Sequence, residues 1–137
     1  MIIAHSSVIV HAIIDTDCSA ETRVVGRIDA DWHAPILWIS ELRSAILKYM
    51  QIGRCSIAEA DEFMRLARRL MQIGTGTVGD DHVLRLALDS GCSTYDCEFL
   101  AMAQQMDAPL LTYDRKLLNA FPELAVTPGD WLERNAH

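Results

Sequence analysis

The sequence has no long hydrophobic run. Nothing in its 137 residues approaches the roughly 18 apolar residues of a membrane span. The opening Met1-Ile-Ile-Ala-His-Ser carries no basic segment, so it reads as a buried strand and not as a secretory signal. Cysteine is scarce and scattered. Cys18, Cys55, Cys92 and Cys97 offer one close pair, C-x4-C, with no second pair to match it. That spacing signals neither a zinc site nor a disulfide framework, and a reducing cytoplasm is the compartment we expect. Positive charge is also short: 12 Lys and Arg stand against 19 Asp and Glu, a net charge of −7. Such a chain does not bind nucleic acid through charge alone. It suits a site that gathers metal cations, or a basic protein partner. Repeats, low-complexity segments and linkers are all missing.

What is present is a globular chain. Half of its residues (50%) are hydrophobic and 23% are charged, which excludes a disordered protein. The length suits a single domain, residues 1–137, with a core of ordinary size. The most informative stretch is CSTYDCEFLAMAQQMDAPLLTY, Cys92 to Tyr113, followed by Asp114. Ser93 or Thr94 is placed to cap a helix that starts near Tyr95. Tyr95, Phe99, Met102, Ala103 and Met106 then recur with helical spacing as one core face. Asp96 lies in the first turn, about 100° round from Tyr95. Asp107-Ala108-Pro109 breaks the helix, and Pro109–Thr112 reads as a buried parallel strand. Asp114 follows that strand and precedes a short helix, Arg115–Phe121. Each aspartate has a plain alternative role. Asp96 fits the third position of a capping box begun by Ser93, and Asp114 fits an N-cap.

In chain order, strands alternate with helices. Met1–Ala4 is a strand, and Val8–Ile14 continues into a first helix. Ser19 or Thr22 is expected to cap a second, Glu21–Ala30. Asp31–Pro35 reads as a turn, with Pro35 at the first position of a third helix. Its core stripe is Trp38, Leu42, Ala45, Ile46 and Tyr49, and it ends at Gly53. Glu41 sits about 60° off that stripe, either a solvated charge or a site residue. Ser56 and Glu59 form a capping box for a fourth helix, whose core face is Ala60, Phe63, Met64, Ala67, Leu70 and Met71. Arg65, Arg68 and Arg69 lie on its other side, a solvated face or an RNA-facing patch. Gly74-Thr-Gly76-Thr-Val-Gly79 matches G-x-G-x-x-G, but a helix and not a strand precedes it. It reads as a turn, a short strand and a cap, not as a dinucleotide site. A fifth helix opens at Asp80 and Asp81, with Val83, Leu84, Ala87 and Leu88 inward, and ends at Gly91. Leu124–Thr127 is a last strand, and Pro128–Leu132 a tail helix or turn.

This alternation implies an α/β fold with a parallel sheet and right-handed crossovers. The carboxyl ends of the first and fourth strands then lie close together. Acids clustered there repel one another unless a divalent cation sits among them. Oxygen ligands from a few carboxylates plus water suit Mg²⁺ or Mn²⁺, and such a site can activate water for attack at phosphorus. A receiver-like phosphoacceptor domain would need an acidic pair after the first strand and a lysine after the last. His5-Ser6 and Leu124–Thr127 offer neither.

Four segments carry a resemblance: MIIAHSSVIV, HAPILWISELRSAILKY around Glu41, GCSTYDCEFLAMA around Asp96, and PLLTYDRKL around Asp114. Over essentially its whole length the chain resembles the PIN-domain ribonucleases, in particular the VapC-type toxins of bacterial toxin–antitoxin pairs. The resemblance implies a three-layer α/β/α sandwich with a short five-stranded parallel sheet. It also implies an acidic metal site cutting single-stranded or loop RNA, a homodimer, and a cognate antitoxin that blocks the site. Glu41, Asp96 and Asp114 fall on three of the family's acidic positions. Ser7 and Thr112 fall on its small hydroxyl positions near the metal.

One position departs from the family pattern. The first strand normally ends in Asp, and here the residue is His5. Asp15 and Asp17 do not replace it, because a helix from Ser6 to Ile14 carries them roughly 13 Å further on. As a ligand, a neutral imidazole favours Mn²⁺ or Zn²⁺ over Mg²⁺. As a structural residue, His5 would be hydrogen-bonded at the strand end. His11, His33, His82 and His137 show no ligand spacing. Two functions follow: a metal-dependent endoribonuclease built on Glu41, Asp96 and Asp114, or a catalytically impaired PIN fold that binds RNA or an antitoxin. Apolar residues on the early helices, such as Trp38 and Tyr49, are expected to form a self-complementary dimer patch.

Overall fold

The computed structural model describes residues 1–135; His137 lies outside them. The strands are β1 (Ile2–Ala4), β2 (Trp32–Pro35), β3 (Thr75–Gly76), β4 (Leu110–Leu111) and β5 (Ala125–Val126). The helices are α1 (Ser6–Ile13), α2 (Ser19–Ile28), α3 (Trp38–Gln51), α4 (Ile57–Leu70), α5 (Asp80–Ser90), α6 (Thr94–Met106), α7 (Arg115–Ala120) and α8 (Pro128–Asn135). All strand pairs are parallel, and the sheet order is β3-β2-β1-β4-β5. β1 and β4 are hydrogen-bonded neighbours. Helix α1 packs on β1 and against α2, α3 and α4, whereas α6 covers β1, β2 and β4 and carries α5 on its outer side. The result is a three-layer α/β/α sandwich.

The chain reverses direction at β1. Connections from β1 to β2 and β3 run one way, and the β3-to-β4 connection returns across the sheet on the other face. β1 and β4 therefore flank a topological switch point, where open α/β sheets place their crevice. Every buried residue of these central strands is apolar: Ile2, Ile3, Ala4, Leu110 and Leu111 are all 0% exposed. Strands covered on both faces read as unbroken hydrophobic runs for this reason.

Local signals act as the sequence indicated at several ends. Ser56 and Glu59 make both bonds of a capping box. Gly91 closes α5 at φ 73°, in the left-handed region that favours glycine. Gly74 has its own cause. A Cβ there would lie 1.8 Å from the Trp32 carbonyl oxygen, so only glycine lets β3 approach β2.

Five expectations are corrected. Residues 32–35 form β2 and not a turn. Ala34 and Ile36 donate to Gly74 and Gly76, and the pairing with β1 reaches only His33, so Pro35 costs no ladder bond. Neither Ser19 nor Thr22 caps α2: Ser19 Oγ bridges Thr16 N and the Ile14 carbonyl, and Thr22 Oγ1 donates to the Cys18 carbonyl. Leu84 and Leu88 are 60% and 85% exposed, because α5 packs on α6 through Val83, Leu86 and Ala87. Tyr95 is 61% exposed and leaves the core stripe to Phe99, Met102 and Ala103. Trp38 is 1% exposed, its indole N–H donating to Thr75 Oγ1, so it belongs to the core and not to a surface patch.

Candidate active site

His5 is placed by the end of β1. Its backbone N–H donates to the Leu111 carbonyl of β4 at 3.0 Å, and its own carbonyl accepts from Val8 and Ile9 at the start of α1. The ring turns inward and is buried. It stands edge-on to Phe99 with centroids 4.8 Å apart. Nδ1 lies 3.0 Å from Ser7 Oγ and 3.1 Å from Thr112 Oγ1. Those hydroxyl oxygens already accept the backbone N–H groups of Tyr113 and Asp114. Ser7 and Thr112 thus tie β1, α1 and β4 together and hold the imidazole in one orientation.

The other ring nitrogen has no hydrogen bond. His5 Nε2 is buried and lies 3.4 Å from Asp96 Oδ1, short of hydrogen-bond geometry. Asp96 is in the first turn of α6. Its backbone N–H donates to the cap residue Ser93 Oγ at 3.0 Å, and its carboxylate Oδ1 faces the ring. The His5 ring holds the Asp96 carboxyl below its ordinary range. Burial opposes this, and Ser93 and Lys116 add to the lowering.

The other two acids are held differently. Glu41 stands in the first turn of α3, and its Oε1 accepts from Ser6 Oγ at 2.9 Å. Burial raises the Glu98 carboxyl, and the Glu41 charge raises it further. Asp114 is the N-cap of α7: Oδ1 accepts from Lys116 N at 2.8 Å and from Leu117 N at 3.4 Å. The structure therefore brings His5, Asp96, Ser7 and Thr112 into direct contact, sets Glu41 beside Ser6, and places Asp114 next to Thr112.

Does this donor set fit a metal? Among the described residues no three His, Cys, Asp or Glu side chains stand close enough to share one ion. Two donors do. When Nδ1–H donates to a hydroxyl, Nε2 keeps its lone pair 3.4 Å from an Asp96 oxygen. A tautomer fixed by a second partner is the usual condition of a ligating histidine. The residues fit a water-rich cation site with two protein donors, one nitrogen and one oxygen.

Sequence reasoning missed Ser6, Glu98, Lys116 and Tyr95. Ser6 and Lys116 are neighbours of recognised positions, but nothing in their spacing marks them. Tyr95 was assigned to the core because it keeps helical register with Phe99. A 13-residue helix is roughly 20 Å long, and the strands beneath it span about 10 Å or less. Its first turn overhangs the sheet, which puts Tyr95 in the crevice. Tyr95 lines a groove of about 410 Å³ together with Ser6, Ser40, Glu41, Ser44 and Lys48. The remaining described histidines are structural: His11 meets Thr16, His33 meets Asp31, and His82 meets Gln104. On α4, Arg65 pairs with Asp61 and Glu62, and Arg69 with Glu62, a solvated face.

The PIN domain family model matches residues 2–123. The chain belongs to the PIN domain family, whose members are typically nucleases. Its structure is similar to the crystal structure of PAE2754 from Pyrobaculum aerophilum, with a TM-score of 0.78 and 21% identity, covering 98% of this chain and 88% of that one. It is also similar to a toxin-antitoxin complex from Klebsiella pneumoniae, with a TM-score of 0.68 and 14% identity, covering 93% of this chain and 98% of that one. No curated protein sequence matches the chain. At these identities the structural likeness establishes the fold.

Proposed function

We propose that this protein is a metal-dependent endoribonuclease of the VapC type, acting within a toxin–antitoxin pair. The observation that carries the reading is the buried, unpartnered His5 Nε2 facing the Asp96 carboxylate at the β1–β4 switch point of a PIN chain. His5 and Asp96 hold a divalent cation directly, and Glu41 and Asp114 act through water. A bound Mg²⁺ or Mn²⁺ would supply positive charge beside the scissile phosphate and its attacking water. Glu41 Oε1 is occupied by the Ser6 hydroxyl, which leaves Oε2 to take the proton of that water. Asp114 keeps α7 in place through Oδ1, and its other oxygen takes no part in that cap. Ser7 and Thr112 fix the imidazole.

The partners in this reading are RNA as substrate, a cognate antitoxin, and a second copy of the chain in a homodimer. The toxin-antitoxin title of the Klebsiella pneumoniae neighbour supports the antitoxin partner. No described helix is long and apolar enough to cross a membrane, and we place the protein in the cytoplasm as one domain.

The test is cleavage of single-stranded RNA by purified protein with Mg²⁺, with Mn²⁺ and with EDTA, wild type against Asp96→Asn. Metal-dependent cleavage lost in the variant is the expected result. A second reading rests on a specific observation: only two donors meet, where the family's metal site has more acids. A PIN fold that binds RNA or antitoxin without cutting would show RNA binding and no cleavage with either metal.

A further inference from the structure

The crevice continues into a groove that the hydrolytic reading leaves unused. It encloses about 410 Å³, within the roughly 300–1,000 Å³ of small-ligand clefts. Ser40, Ser44 and Lys48 recur every four residues along α3, so one helix face offers two hydroxyls and then an ammonium. Ser6 and Glu41 form the end that joins the His5–Asp96 pair. Leu37 and Ala45 add apolar surface to the lining, and so does Tyr95, the residue before Asp96, which is 61% exposed. Among the described residues Lys48 has no acidic partner within ion-pair distance. Glu41 and Lys48 are separated by roughly 10 Å of helix, so the groove has an acidic pole at the reaction end and a cationic pole beyond it.

We propose that this groove is a subsite for one unpaired nucleotide of the RNA. The base stacks on Tyr95, the Ser40 and Ser44 hydroxyls bond its edge or its ribose, and Lys48 takes the adjoining phosphate. The proposal rests on the ribonuclease reading for its polymer and adds the residues that grip it. The net charge of −7 denies this chain the general phosphate attraction that most nucleic-acid binders use. Stacking on an aromatic face is independent of charge and tolerant of sequence. A duplex does not offer its base faces, so the occupant is single-stranded. An apolar peptide is disfavoured as the occupant, because three serines, a carboxylate and an ammonium stand among the groove's apolar residues. The apolar groove suited to a peptide lies elsewhere, between α3 and α4 around Leu47, Met50 and Ile57.

The experiment is fluorescence anisotropy of a short labelled single-stranded RNA with the full protein in EDTA, so that no cleavage intervenes. An abasic strand of the same length and an RNA duplex serve as comparisons. Tyr95→Ala should weaken single-strand binding roughly 10-fold or more, and Tyr95→Phe should stay near wild type. The abasic strand should bind wild type as weakly as the intact strand binds Tyr95→Ala. Lys48→Gln should reduce the salt dependence by about one counterion. Because Tyr95 is exposed, thermal unfolding of its variants should match wild type. Wild-type binding that Tyr95→Ala leaves unchanged, or that the abasic strand reproduces in full, overturns the subsite alone. A wild-type protein that binds no single-stranded RNA in EDTA overturns the subsite, and one that also cleaves none with Mg²⁺ or Mn²⁺ overturns the ribonuclease reading with it.

Discussion

His5 Nε2 and Asp96 Oδ1 stand 3.4 Å apart at the carboxyl end of β1, and no hydrogen bond joins them. The neighbouring nitrogens are spoken for: Nδ1 by Ser7 and Thr112, and Asp96 N by Ser93. A buried ring nitrogen without a partner is costly. Here it faces a carboxylate, so a cation between the two would satisfy both. The nitrogen in the donor set then decides which cation, since imidazole suits Mn²⁺ and Zn²⁺ better than Mg²⁺.

The first prediction concerns that choice. Wild-type RNA cleavage should be weak with Mg²⁺ and stronger with Mn²⁺. His5→Asp should raise the Mg²⁺-dependent rate by at least ~10-fold, the low end of what a changed metal environment does. The same variant sets two carboxylates face to face, so its Tm should fall in EDTA and recover when metal is added. A His5→Asp protein as inert as wild type with both metals would remove the cation from the account of this site.

How much of this was legible beforehand depends on what each residue touches. The central strands were plain, because Ile2–Ala4 and Leu110–Leu111 are buried on both faces and must be apolar. The positions of Asp96 and Asp114 were also plain, each following a marked cap or strand. β2 was hidden, because His33 and Pro35 interrupt its pattern and its partner β3 is only two residues long. The contact between His5 and Asp96 was hidden too. It depends on the depth at which the Ser7 and Thr112 hydroxyls hold the ring, a feature of packing and not of spacing. Tyr95 and Leu88 misled for one reason: helical register says which residues share a face, but not whether the neighbouring layer extends far enough to cover them.

Asp114 is an N-cap and, in the proposed function, a site residue, and substitution can separate the two roles. Its Oδ1 accepts two backbone N–H groups at the start of α7. Asn caps nearly as well, so Asp114→Asn should change stability by only a few tenths of a kcal/mol, whereas Asp114→Ala should cost ~1 kcal/mol. Cleavage should fall in both. Chemical denaturation and the RNA assay on the same preparations test this. Full cleavage by Asp114→Asn would reduce Asp114 to a cap.

His11 should set part of the pH dependence of stability. Burial lowers its pKa below the ordinary 6.5, against the opposing Glu21 charge. Its ring packs edge-on against Tyr113, and Nδ1 meets Thr16 Oγ1 at 2.6 Å. The folded protein therefore prefers the neutral ring. The unfolded chain takes up the proton first, so this contribution is complete above the ordinary value and is lost as pH falls through the lowered one. Between pH 7.5 and 5 the wild-type Tm should fall more steeply than that of His11→Gln. Parallel curves would mean that His11 titrates alike in both states.

The last prediction concerns assembly, which the burial of Trp38 moves to a different surface. From the second half of α3 to the start of α4 the exposed large apolar residues are Leu47, Ile52 and Ile57, at 50%, 65% and 73%. Leu47 and Ile57 line a groove of about 430 Å³ between α3 and α4, with Arg43 and Asp61 among its lining residues. We expect such a surface to pair about a two-fold axis, with side chains of one copy filling the groove of the other and opposite charges meeting across it. Light scattering should show a homodimer at micromolar concentration. Ile57→Glu buries a charge in that interface and should give a monomer. Its Tm should change little at concentrations where wild type is itself monomeric, because the side chain is mostly exposed in one chain. A monomeric wild type well above the micromolar range would end the homodimer reading, and a dimer that survives Ile57→Glu would place the contact on another face.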